Sequence, residues 1–141
     1  MNEQSNGNLS VENINIVKKV YEAFGKHDFD FILSVLSKDV EWGEPANPFN
    51  PAAGKRHGHK GFLEWLKIGH ESEEILTLES QKFLSDSETV AVIGFTKCLA
   101  KLTNKTYETD FVHLFLFKDG KIIKFQEYFD TYAAAEAFRN L

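Results

Sequence analysis

Residues 107–130, Tyr-Glu-Thr-Asp-Phe-Val-His-Leu-Phe-Leu-Phe-Lys-Asp-Gly-Lys-Ile-Ile-Lys-Phe-Gln-Glu-Tyr-Phe-Asp, read as a hairpin about Asp119-Gly120 and decide how this chain folds. Its register hinges on the turn. A two-residue Asp119-Gly120 loop puts Lys118 opposite Lys121. The face carrying Phe111, His113, Phe115 and Phe117 then also carries Ile122, Lys124, Gln126 and Tyr128. A type I turn through Lys118 and Asp119, with Gly120 left-handed and a closing bulge, instead aligns that face with Ile123, Phe125, Glu127 and Phe129. The second register is expected, because its face is apolar except at His113 and Glu127. It sets Glu127 opposite Phe111 and His113 opposite Phe125, so that the two polar side chains are diagonal neighbours within reach of one bound molecule.

Ionisable groups among closely set apolar residues are either well paired or chemically useful. His113 and Glu127 read equally well as a buried hydrogen bond that only satisfies two polar groups. The opposite face of the same strand carries Val112, Leu114 and Leu116. Leaving these in water forgoes roughly 1.5–3 kcal/mol each. A strand apolar on both faces calls for cover on both, here helices on one side and a second copy of the chain on the other.

A chain of 141 residues suits one domain with a single substantial core, and 13 Phe with 2 Trp favour a large apolar interior or cavity. A net charge of −5 without any run of Lys or Arg argues against nucleic acid or an anionic membrane as the main partner. The one cysteine, Cys98, excludes an internal disulfide and a cysteine-cluster metal site, and it reads as a small core residue. No apolar run approaches the roughly 18–20 residues of a membrane span. With Met1 to Ser10 polar throughout, the expected location is cytoplasmic.

Along the chain, residues 1–9 read as a flexible tail and residues 10–141 as a single domain. Ser10 suits an N-cap for a first helix, where Ile14, Val17, Val20, Tyr21 and Phe24 form one apolar stripe. Asp28 caps a short second helix containing Phe31, Ile32, Val35 and Leu36, and a strand follows with Val40, Trp42 and Glu44 on one face. All three prolines fall between Glu44 and Lys60, a long irregular connection of the kind that makes binding loops. A third helix begins near Lys60. The period then turns to two, with strands near 75–84 and 88–101, the hairpin, and a last helix capped by Asp130 or Thr131. The class is α+β, a strongly curved antiparallel sheet wrapped around N-terminal helices.

Tyr-Glu-Ala-Phe-Gly-Lys-His-Asp-Phe-Asp at 21–30, Asp-Val-Glu-Trp at 39–42, Gly-His-Lys-Gly-Phe at 58–62 and the hairpin, in this order, carry a resemblance over residues 11–138. The chain resembles the SnoaL-like branch of the nuclear transport factor 2-like superfamily, which includes ketosteroid isomerases, limonene epoxide hydrolases and polyketide cyclases. The resemblance implies a cone-shaped fold around a pocket. It puts Glu44-Pro45 where the isomerases hold a general-base carboxylate before a proline. Val20 and His113 fall where the isomerases place their oxyanion donors, so the tyrosine of that pair is missing, which argues against steroid-type isomerisation. Gly94 and Thr96 stand where the epoxide hydrolases have an arginine and an aspartate. The agreement is with the SnoaL-type cyclases, which pair a histidine and an acid where this chain has His113 and Glu127.

The resulting reading is a cofactor-independent acid/base enzyme for a small apolar carbonyl compound, with His113, Glu127 and Glu44 as its catalytic candidates. Val20 and Phe24 on the first helix, Trp42, Thr96 and the hairpin's Phe111, Phe115 and Phe125 are the expected pocket wall. The alternative is a ligand-binding or dimerisation module of the same fold. A homodimer is expected, with no cofactor and no metal. His57 and His59 suggest a metal only weakly, lacking a third ligand nearby, and are expected at the pocket mouth.

Overall fold

The computed structural model describes residues 3–140. The chain runs α1 (Glu3–Gly25), α2 (Phe29–Val35), β1 (Leu36–Glu44), β2 (Gly54–His57), α3 (Gly58–Ser72), β3 (Glu73–Ser85), β4 (Thr89–Ala100), β5 (Lys105–Lys118), β6 (Lys121–Phe129) and α4 (Thr131–Phe138). Among the described residues, no helix is long and apolar enough to cross a membrane.

The stripe on α1 faces the core as its spacing requires, with Val17, Val20 and Ala23 all buried. The helix does not wait for Ser10. It begins at Glu3, so the part of the expected tail that is described, residues 3–9, is helical, while Met1 and Asn2 lie outside the described residues. Asn13 and Ser10 anchor α1 from the side: the Asn13 amide donates to the Ser87 carbonyl and the Ser10 carbonyl accepts from Ser85 Oγ. At the far end the chain turns through His27, whose φ is +59°. Asp28 then caps α2 by accepting from Phe31 N at 3.2 Å. Leu36, grouped with that helix by its sequence pattern, instead opens β1, where it is buried all the same.

One six-stranded sheet has the order β2-β1-β6-β5-β4-β3. It is mixed, because β1 runs parallel to β6, with Trp42 beside Phe125 and Gly43 beside Gln126. The expectation of an antiparallel sheet throughout is thus corrected at one seam, and the sheet is not strongly curled. The helices cover one face, and the main core of Val40, Trp42, Phe62, Val90, Val92 and Phe115 lies between. The connection after Glu44 is less irregular than its prolines suggest, since Gly54–His57 adds the edge strand β2 against β1. Edge strands tolerate the Pro/Gly-rich flanks that masked it.

The hairpin corrects the expected register. Lys118 pairs with Lys121, and Asp119 and Gly120 both have positive φ, 51° and 78°. These are the marks of a two-residue type I′ turn, whose twist matches that of the strands it joins. A bulge lies further along, between the pairs Leu116–Lys124 and Phe117–Ile122, and it skips Ile123. The skip restores the phase, so Phe111 pairs with Phe129, His113 with Glu127 and Phe115 with Phe125. His113 is therefore directly opposite Glu127 rather than diagonal to it, and Ile122 rather than Ile123 is the buried residue.

α4 packs Ala134, Ala137 and Phe138 onto Cys98, Ala100 and Tyr107, a second small core on the helix-covered side of the sheet. It leaves the outer face alone. There Val112, Leu114 and Leu116 are half-buried, and Leu84 and Tyr128 are 47% and 52% exposed.

Candidate active site

Between the sheet and α1 to α3 lies a cavity of about 790 Å³, counting the space at its open mouth. Strand alternation sends Phe111, His113 and Phe115 into it from β5, and Phe125, Glu127 and Phe129 from β6. β1 contributes Trp42 and Glu44, α1 contributes Val20 and Phe24, and β4 contributes Thr96. All ten residues singled out in the sequence thus line one cavity.

His113 is held at both ring nitrogens. Its Nε2 is 2.7 Å from Glu127 Oε2, and its Nδ1 is 2.5 Å from the Tyr21 hydroxyl. The Tyr21 and His113 rings are nearly parallel, at 5°, and Phe111 stacks on the imidazole with ring centroids 4.0 Å apart. Gly94 makes that stacking possible. A Cβ there would overlap both the Phe111 ring and the Glu79 carbonyl.

Glu44 is not the solvated start of a loop. It is 7% exposed, accepts from Asn50 Nδ2 at 2.8 Å and from Trp65 Nε1 at 3.3 Å, and shares a hydrogen bond with Glu127. The proline-rich connection acts here through Asn50, whose carbonyl oxygen also accepts from Ala52 N and so fixes the amide's orientation.

Burial sets the charges. Desolvation pushes Glu44 up to about 8, with the neighbouring Glu127 carboxylate raising it further. Glu127 is raised to about 7 by desolvation, against the lowering effect of its hydrogen bond from Glu44. His113 is lowered to about 3, again by desolvation, so the short His113–Glu127 contact joins a neutral imidazole to a carboxyl group and is not an ion pair. The consistent proton pattern has Tyr21 donating to His113 Nδ1, His113 Nε2–H donating to Glu127, and a protonated Glu44 donating to Glu127 from the other side. Two carboxyl groups this close do not ionise together easily, and they titrate as a pair.

Tyr21, Trp65 and Asn50 were not anticipated as site residues. Tyr21 was counted as a member of the apolar stripe of the first helix, and a phenol in such a stripe is the one available signal, because it carries a polar tip that seeks a partner when buried. Tyr21 also amends the argument from Val20: the first helix does bring a tyrosine hydroxyl to the cavity, one residue further on. Glu73 and Tyr107 were missed as well. They meet at 2.7 Å in the cavity wall, with desolvation raising Glu73 to about 7. His57 and His59 do not reach the mouth. His57 precedes α3 as its N-cap and His59 Nε2 meets the Leu36 carbonyl at 3.0 Å. Cys98 is a buried thiol pushed up to about 11 by desolvation. Among the described residues, no group of three or more His, Cys, Asp or Glu side chains is arranged to hold a metal ion.

Helices laid on one face of this sheet order, around an apolar cavity with a histidine and carboxyls in its wall, define an α+β domain of the nuclear transport factor 2-like class. Within that class residues 17–125 match the SnoaL-like domain, and the chain belongs to this family. Among solved structures, an NTF2-like protein from Burkholderia xenovorans LB400 is 35% identical, covering 92% of this chain and 98% of its own, with a TM-score of 0.85. An NTF2-like protein from Burkholderia pseudomallei K96243 is 25% identical over 92% of this chain and 98% of its own, with a TM-score of 0.82. TerC, co-crystallized with polyporic acid, is 29% identical over 92% of this chain and 99% of its own, with a TM-score of 0.80. No curated protein matches the chain.

Proposed function

We propose that this protein is a cofactor-independent acid/base enzyme of isomerase or cyclase type, acting on a small, largely apolar carbonyl compound. The observation that carries this reading is the hydrogen-bonded line Tyr21–His113–Glu127–Glu44 in the wall of an apolar cavity. Glu127, aligned by His113, takes a proton from carbon next to the substrate carbonyl. The protonated Glu44 gives its proton to the carbonyl oxygen as charge develops there. The enol so formed regains a proton from Glu127 at a different carbon, or attacks a second carbonyl of the same molecule, whose oxygen takes the proton from Glu127, and Glu44 recovers its proton as the first carbonyl re-forms. Stacked aromatic side chains, including Trp42 on Phe125 at 4.0 Å, suit a flat ligand.

A second reading is a binding module. It is favoured by the closure of the network, since both nitrogens of His113 already have protein partners. Deuterium exchange separates the two. Polyporic acid, the compound crystallized with TerC, and a set of cyclic enones are screened by thermal shift, and the binders are incubated with protein in D2O. Among binders with an enolisable C–H beside the carbonyl, as in the cyclic enones, enzyme-dependent deuterium uptake there supports the enzyme. Binding without exchange or turnover of any compound supports the module.

We also propose that the protein is a homodimer joined through the outer sheet face. Among the described residues no element covers its exposed apolar side chains, because α4 lies on the other side.

A further inference from the structure

We propose that Glu73 and Tyr107 form a second polar subsite in the cavity, which takes a neutral hydrogen-bond donor, a phenolic or alcoholic hydroxyl, at the end of the ligand away from Glu127. This deepens the reading of the cavity as a site for a carbonyl compound, and rests on it. Tyr107 donates to Glu73 Oε2 at 2.7 Å, and Glu73 Oε1 accepts no hydrogen bond among the described residues. One carboxyl oxygen in the cavity wall is therefore left to accept from whatever fills the space.

The placement sets this pair apart from the catalytic candidates. Tyr107 and His113 lie on the same face of β5, six residues apart, while the Glu73 carboxyl reaches back close enough for its charge to raise Glu127 and for that of Glu44 to raise it, so one small ligand spans both ends. The wall between holds Phe111 and Phe129. Ile75, in the same wall, is 42% exposed, so the Glu73 end lies near the mouth. A ligand that buries a carbonyl at Glu127 and Glu44 thus presents its far end to Glu73.

Charge narrows the class. Glu44, Glu73 and Glu127 all line the cavity, and among the described residues no Lys or Arg does. An anionic group there meets carboxyls and no compensating cation, whereas a hydroxyl meets an acceptor. Among the described residues, Trp42 Nε1 is a buried side-chain donor in the wall without a hydrogen-bond partner, and it can donate to a ligand carbonyl.

The probes are 4-hydroxychalcone, 4-methoxychalcone and 4-carboxychalcone, which share one enone and differ only at the distal end. Dissociation constants are measured at pH 7.5, above the value of about 7 to which burial raises Glu73, by quenching of Trp42 and Trp65 fluorescence. The hydroxyl compound should bind at least five-fold more tightly than the methyl ether and at least twenty-fold more tightly than the carboxylate. Glu73→Gln removes the charge and keeps the shape, so it should narrow the gap to the carboxylate at least three-fold. Tyr107→Phe, which frees Glu73 Oε2, should leave the preference for hydroxyl over ether in place. Equal binding of hydroxyl and ether, tighter binding of the carboxylate, an unchanged ratio in Glu73→Gln, or no binding of any probe overturns the subsite. The expected ranking, with no deuterium exchange in any enolisable cyclic enone that binds, upholds the subsite and sinks the enzyme.

Discussion

His113 and Glu127 face each other directly across the β5–β6 ladder, with Nε2 and Oε2 2.7 Å apart, and the contact is made by a bulge several residues away that shifts β6 into phase. The arrangement gives Glu127 a fixed orientation and a donor, which a base requires, while burial keeps the imidazole neutral.

Replacing Glu127 by Gln keeps the shape and the hydrogen bond from His113 but removes proton acceptance. Turnover should fall roughly 10²–10⁴-fold while ligand affinity changes little. Single-turnover and binding assays on the same variant check this, and full activity would remove Glu127 from the mechanism.

The pH profile should be narrow. Activity needs Glu127 ionised and Glu44 protonated, so kcat/KM should rise through about 7 and fall beyond about 8, values that belong to the pair. In Glu44→Gln the alkaline limb should disappear, along with much of the rate. A wild-type rate that stays flat from pH 6 to 9 would refute both roles.

Stability carries its own signature. Glu44, Glu73 and Glu127 have their folded values raised above the ordinary 4.5, to about 8, 7 and 7, so the folded state holds protons that the unfolded state releases. Their contribution is full below pH 4.5 and is lost progressively as pH rises to 8. His113, lowered to about 3 from 6.5, acts oppositely, and its contribution is lost as pH falls through that window. The ligand-free melting temperature should therefore decline from pH 5 to pH 8, and less steeply in Glu44→Gln.

Tyr21→Phe leaves His113 Nδ1 as a buried acceptor without a partner, at a cost of about 1–3 kcal/mol. Denaturant titration reads this cost. Gly94→Ala should be no milder, because its Cβ needs the space of the Phe111 ring, and overpacking of this kind costs about 1–3 kcal/mol.

Sedimentation should report about twice 16.1 kDa. Leu114→Glu on the outer face should yield a monomer that keeps its fold, and a wild-type monomer at micromolar concentration would contradict the dimer.

The fold was legible because its strongest signals are local. The stripe of α1 and the alternation of β5 each follow from a period within one element. What escaped depends on the chain meeting itself. β2 is short and lies at an edge, amid glycines and prolines that read as loop. The parallel seam between β1 and β6 has no local mark at all. Which face His113 shares with Glu127 could be argued from apolar content, yet the pairing partner could not, because a bulge changes the partner without changing the face. Glu44 was visible as a candidate, but its burial was not, since it depends on Asn50 and Trp65 reaching it from elsewhere in the chain. Tyr21 and Glu73 lay hidden within ordinary amphipathic patterns.

The parallel seam also fixes when the site can exist. Trp42 and Glu44 are made well before Phe125 and Glu127, beside which they settle and which come from the last described strand. Until β6 is added, Glu44 lacks its carboxyl neighbour, and the stacked pair of Trp42 and Phe125 is half missing. Closing so long a loop is a slow, entropically costly step, characteristic of folds rich in distant contacts. Assembly of the cavity wall and completion of the fold are thus one event, and a nascent chain that stops short of β6 carries half a cavity and lacks the partner of His113.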